Sequence, residues 1–178
     1  IGRLPSHSVE QVRTVVDKIL NYEANSNWSP TMLAVADNDP SFEAARDEAI
    51  KLVPSNIAIS QVYLGKYQSD KEATADIITH LDEGMLITHY LGHGNATLWA
   101  NATGQRLFEV SDISIRKDTG KYTFLIVLNC LNANFSDVSR YSLAEQFILA
   151  INKGAFASFA PSSVGYLWEH QLIDNGLF

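Results

Sequence analysis

Tyr122-Thr123-Phe124-Leu125-Ile126-Val127-Leu128-Asn129-Cys130 is the stretch whose reading decides the fold. From Phe124 to Leu128 every residue is apolar, with no alternation. A strand with one wet face alternates; a strand that is apolar on both faces needs cover above and below, as in a parallel sheet between helices. The run has the length of a buried strand and falls well short of a bilayer span. It ends on two groups of a different kind, the amide of Asn129 and the thiol of Cys130.

Outward from this strand, helix and strand patterns alternate along the whole chain. Ser8 to about Glu23 reads as a helix opened by a Ser8–Gln11 capping box. Val9, Val12, Val15, Val16, Ile19 and Leu20 are its expected apolar stripe. After Pro30, Met32–Ala36 reads as a buried strand stopped by Asp37-Asn38-Asp39-Pro40, and 41–52 as a helix. A strand over 56–64, a helix over 70–81 and a strand over 85–90 follow. Beyond Cys130, Ser142 and Glu145 form a second capping box for a helix to about Ile151, and Gly154–Ala160 is the last strand. Asp174-Asn175-Gly176 reads as a turn. The alternation predicts an α/β fold, a mostly parallel sheet with helices on both faces. It contains no internal repeat.

The composition agrees. The chain has 178 residues, 46% apolar and 19% charged, which fits one ordinary domain spanning 1–178 with a buried core. A net charge of −7 argues against nucleic acid or an anionic membrane surface as partner, and membrane insertion is not expected. The single cysteine excludes an internal disulfide. Sequons at Asn27, Asn95, Asn101 and Asn134 carry little weight in an Asn-rich chain. The first residue is Ile1 rather than Met, so the expectation is a piece of a longer protein with flanking domains.

In open α/β sheets, ligands bind beyond the carboxyl ends of the strands. Four predicted strand ends carry chemistry there: Asp37; Leu91-Gly92-His93-Gly94; Asn129-Cys130; and Pro161-Ser162-Ser163. A thiol with an ordinary pKa of about 8.5 attacks as the thiolate, and an imidazole takes up its proton and returns one to a leaving amine. The developing oxyanion needs fixed N–H donors, which a Gly-flanked loop and the nucleophile's own main chain supply. A lone cysteine after an apolar strand is ordinarily a small buried hydrophobe. A histidine between glycines is a poor strand or helix residue and a good exposed loop residue. Together, at two strand ends, they favour a site. A metal set of His89, His93 and Cys130 is disfavoured, because residues four apart on a strand do not surround one ion. Asp37 has two readings, a turn former before Asn38 or an orienting partner for His93. No metal and no cofactor is called for.

At this point the residues resemble a known family. Ile87-Thr88-His89-Tyr90-Leu91-Gly92-His93-Gly94, with Trp99, resembles the histidine motif of gingipain-like cysteine peptidases (peptidase family C25, caspase-like clan). Val127-Leu128-Asn129-Cys130-Leu131-Asn132-Ala133 resembles their cysteine motif, followed by Ser142–Phe147, Lys153-Gly154-Ala155 and Ala160–Gly165. The resemblance covers nearly the whole chain. It implies the caspase-like fold, His93 as general acid–base, Cys130 as nucleophile, and the main-chain N–H groups of Gly94 and Cys130 as oxyanion hole. It also implies that Leu91, Leu128, Ser163 and Trp168 border the substrate, a polypeptide, and that the protein acts outside the cell or at its surface. Asn129 departs from the pattern, in which a small residue often precedes the cysteine. A sortase-like transpeptidase shares the same dyad; a non-catalytic caspase-like binding domain needs neither residue. A Rossmann or P-loop nucleotide binder lacks its Gly-rich loop here.

Overall fold

The computed structural model describes residues 2–25, 28–100 and 102–178. The predicted strand forms as β6 (Thr123–Leu128), with Leu125 to Leu128 all buried. Each fully buried aliphatic side chain there contributes roughly 1.5–3 kcal/mol. β6 lies inside a five-stranded sheet of order β2-β1-β3-β6-β7, with every pairing parallel. Its other strands are β1 (Thr31–Ala36), β2 (Ala58–Tyr63), β3 (Ile87–Leu91) and β7 (Ala155–Phe159). The inner strands β1, β3 and β6 are buried along almost their whole length, whereas the outer β2 and β7 are partly exposed.

Helices cover both faces, as parallel crossovers require. On one face α1 (Val9–Ala24), α3 (Asp70–Glu83) and α5 (Leu143–Leu149) bury Val15, Ala73, Ile77, Leu81, Leu143 and Phe147 against Leu33, Val35, Leu125 and Val127. On the other, α2 (Pro40–Ile50) and α6 (Leu167–Leu177) pack together over Leu91, Ile126 and Leu128. The sheet and its two helical layers thus match the predicted class. A two-stranded antiparallel ribbon, β4 (Leu98–Ala100) with β5 (Arg106–Glu109), and the short α4 (Val110–Ile115) fill the connection between β3 and β6.

Three local readings differ from the expectation. The Ser8 side chain accepts from the Gln11 N–H, but Gln11 reaches back to the N–H of His7 (2.6 Å), so the box closes one residue early. Of the expected α1 stripe only Val15 is buried and Ile19 partly so; Val9, Val12, Val16 and Leu20 are exposed. Lys18 takes the buried place instead, because its ammonium reaches the carbonyls of Phe147 (3.1 Å) and Ile148 (2.8 Å) at the end of α5. Finally, Asp174-Asn175-Gly176 continues α6 rather than turning. The sequons at Asn27 and Asn101, and Ile1, lie outside the described residues.

Candidate active site

Parallel pairing sets the geometry of the site. Leu91 and Leu128 are register partners at the ends of β3 and β6, and the Gly92 N–H donates to the Leu128 carbonyl at 3.2 Å. His93 and Cys130 each lie two residues beyond these partners. Side chains two apart share a face, and neighbouring strands are about 5 Å apart. Beyond the strand ends, the contacts of each residue place it toward the face covered by α2 and α6. Phe42 of α2 meets the His93 ring edge-on with centroids 5.0 Å apart, and the Cys130 Sγ faces the Gly165 carbonyl at 3.7 Å, just before α6. Both residues are partly exposed.

The histidine loop is fastened through its main chain. Asp37, fully buried at the end of β1, accepts the N–H of His93 (2.6 Å) on one oxygen and that of Asp39 (2.8 Å) on the other. Burial pushes its carboxyl up, and those two N–H donors pull it down. The contact of Asp37 is thus with the backbone of His93 rather than with its ring. On the far side, the Tyr90 hydroxyl donates to the His93 carbonyl. The Asn132 amide holds the Asn95 carbonyl (3.0 Å) and accepts from the Trp99 indole (3.2 Å). At the bridge between Gly94 and Trp99 the two bonds are Ala100 N–H to His93 C=O and Asn95 N–H to Leu98 C=O. Neither uses the N–H of Gly94, which is therefore turned away from Trp99.

The cysteine turn carries backbone strain. Leu131, immediately after Cys130, sits at φ 62°, a left-handed conformation that costs a non-glycine residue of order 1 kcal/mol or more. The strain is held by main-chain bonds from Leu131 to the Ser163 carbonyl (3.0 Å) and from Ala133 to that of Pro161 (2.8 Å). They bring the 161–165 segment alongside Cys130. Ser163 thus meets the turn through its carbonyl, while its side chain is exposed.

The expected substrate-bordering residues divide. Trp168 is 62% exposed on the first turn of α6, free of the packing role a tryptophan often has. Leu91 and Leu128 are closed off in a cluster with Phe42, Ala45 and Ile126, so their side chains border core and not open space. Their burial follows from their face: both point under α2 and α6.

Two further features concern buried polar side chains. Asn129 is buried, and among the described residues neither end of its amide has a hydrogen-bond partner; its nitrogen sits where a Cβ on residue 94 would be, so Gly94 is required by crowding. His89 lies in a wholly buried ionic cluster. Its Nδ1 meets the Arg46 guanidinium, and its Nε2 stands 3.0 Å from the Asp174 carboxylate. Burial and the Arg46 charge lower its pKa to about 4. This commits His89 to α2 and α6. Among the described residues no group of three or more His, Cys, Asp or Glu is arranged to hold a metal, and no helix is long and apolar enough to cross a membrane.

Fold and site together define an α/β protein with a thiol and an imidazole at the carboxyl edge of one parallel sheet. The chain belongs to peptidase family C25, whose family model matches residues 1–178. Lys-gingipain W83 of Porphyromonas gingivalis is 24% identical over 173 residues, which is 94% of this chain and 10% of that protein. Gingipain R2 of the same species is 24% identical over 144 residues, 76% of this chain and 19% of that protein. The crystal structure of the Arg-specific cysteine proteinase gingipain R superposes with a TM-score of 0.76 at 22% identity, covering 93% of this chain and 40% of that one. The pro- and mature-domain complex of the same proteinase gives a TM-score of 0.74 at 20% identity, covering 93% of this chain and 41% of that one. The architecture is thus the one these proteinases share, and this chain spans a minor part of their length.

Proposed function

We propose that this chain carries the catalytic site of a cysteine endopeptidase. Cys130 attacks the scissile carbonyl, and a thioester acyl-enzyme forms. His93 takes the thiol proton and delivers a proton to the departing amine; water then releases the acyl group. The main-chain N–H groups of Gly94 and Cys130 receive the oxyanion. Asp37 acts by holding the backbone of His93 in place. The observation that supports this reading is the Leu91–Leu128 register, because His93 and Cys130 each follow these partners by two residues at the ends of neighbouring strands. Membership of family C25 supports the reaction class.

The substrate is a polypeptide. Exposed Trp168 and the 163–166 segment beside Cys130 border the bound chain, and Leu91 and Leu128 contribute through their main chain. The relatives are larger proteins, so further domains of the same protein are expected partners. By the same kinship the site of action is outside the cell or at its surface. Transpeptidation, with an amine in place of water, uses the same groups.

The test is mass spectrometry after treatment with acyloxymethyl ketones bearing Arg, Lys or an apolar residue, on wild type, Cys130→Ala and His93→Ala. The expected result is one adduct, on Cys130, lost in the first variant and slowed at least tenfold in the second, the usual worth of an acid–base group being 10²–10⁴. A folded wild type that forms no adduct, and whose thiol meets iodoacetamide no faster than a free one, rules out the peptidase reading and favours a binding domain.

A further inference from the structure

Tyr90 precedes His93 by three residues and points to the opposite face of the sheet, where it is fully buried with its ring stacked on Trp99 at 4.5 Å between centroids. Its hydroxyl donates to the His93 carbonyl at 2.5 Å, and the N–H of Ala100 donates to the same oxygen at 3.1 Å. That carbonyl and the N–H of Gly94 belong to one peptide unit. A peptide is a single conjugated dipole, so two donors on its oxygen strengthen its N–H as a donor. The unit before it is held as firmly, since the His93 N–H donates to Asp37. Gly92 makes this convergence possible. A Cβ at that position would run into the Tyr90 hydroxyl and stand 2.9 Å from the Asp37 carboxylate.

We propose that Tyr90 is a positioning residue for the oxyanion hole: its hydroxyl orients and polarises the His93–Gly94 peptide, and so strengthens the Gly94 N–H that receives the substrate oxygen. Tyr90 acts through Gly94 and never touches substrate. The inference rests on the peptidase reading above. Burial, helped by the charge of Asp37, raises the phenol well above its ordinary range, so the hydroxyl remains a donor at any working pH.

Tyr90→Phe removes the hydroxyl and keeps the stacked ring. The control is Tyr63→Phe, which removes another hydroxyl bond (to Asp47, 2.8 Å) from a buried tyrosine two strands away. Wild type, both variants and Cys130→Ala are assayed on a peptidyl-coumarin library, and on a peptidyl aldehyde whose thiol adduct carries an oxyanion. In Tyr90→Phe, kcat should fall roughly tenfold, less than for direct loss of an oxyanion donor. Aldehyde affinity should fall by the same factor, KM should stay within about twofold, and the pH profile should not move. Tyr63→Phe should change neither kcat nor aldehyde affinity. If Tyr90→Phe melts earlier but keeps wild-type kcat and aldehyde affinity, the hydroxyl is structural and the inference is overturned alone. If wild type hydrolyses nothing, or Cys130→Ala hydrolyses as fast, the peptidase reading fails and takes this inference with it.

Discussion

Lys18 and Arg46 are cations buried on opposite faces of one sheet, and they are satisfied in different ways. Lys18, on α1, donates to main-chain carbonyls, those of Phe147 and Ile148 at the end of α5 and that of Ala155 at 3.4 Å where β7 begins, and lies over the Tyr122 ring at 5.6 Å. A cation at a helix C-terminus is favourably placed, and its hydrogen-bond acceptors are neutral carbonyls that cannot titrate. Arg46, on α2, meets side chains: the imidazole of His89 on β3 and the carboxylate of Asp174 on α6, the latter at 3.7 Å. The Asp174 oxygens make close ionic contacts without aligned hydrogen bonds. The first arrangement is a helix cap that closes a corner remote from the site. The second ties together the layer that lies over Cys130 and His93, and it depends on three ionisable groups. The lesson is that α6, which carries Trp168, is held by chemistry sensitive to acid, whereas the opposite face is not.

The largest break in this comparison should come from Arg46→Ala. It leaves the Asp174 carboxylate buried and unpaired, a situation that costs about 3–5 kcal/mol. Urea unfolding should show that loss, and probe labelling of Cys130 should weaken as α6 loosens; an unchanged midpoint would mean that the cluster carries no stability.

The pH dependence sharpens the contrast. His89 is held near 4, below its ordinary 6.5, chiefly by burial. Between these values the unfolded chain binds more protons than the fold, so stability should fall as pH drops from 6.5 to 4. Lys18 is lowered from 10.5 to about 7 by burial and then by the Arg116 charge. The same sign applies, so stability should rise with pH between about 7 and 10.5. Denaturant midpoints across pH should therefore rise in two separate windows. Lys18→Met should remove only the upper one, and a lower window that survives His89→Gln would assign it elsewhere.

The smallest effect should be Lys18→Met itself at neutral pH. It strands carbonyls at the end of α5, each worth about 1–3 kcal/mol if left unsatisfied, but the methionine keeps the packing and some carbonyls retain other bonds. Thermal melting should shift modestly, and the rate of Cys130 labelling should stay at the wild-type value. A labelling defect comparable to that of Arg46→Ala would erase the distinction between the two faces.

The sequence by itself determined the layered α/β fold and the two chemical groups at its edge. Continuous apolar runs such as 124–128 and 32–36, which carry β-branched residues and are bounded by turn signals, fit strands of a sheet covered on both sides, and parallel strands put their ends on one edge. Capping by Ser142 and Glu145 is equally local and was legible for that reason. Tertiary structure alone decided the rest. The turn-like Asp174-Asn175-Gly176 stays helical where Asp174 is buried beside Arg46 and His89, because a distant ionic contact can outweigh weak local propensity. Lys18 is buried in place of valines because the end of α5, some 130 positions away, needs donors. Asp37 meets the backbone rather than the ring of His93, and Tyr90 completes that grip, because two strands far apart in the chain end in register. Periodicity records which face a residue takes; which partner waits there depends on chain segments that no local pattern encodes.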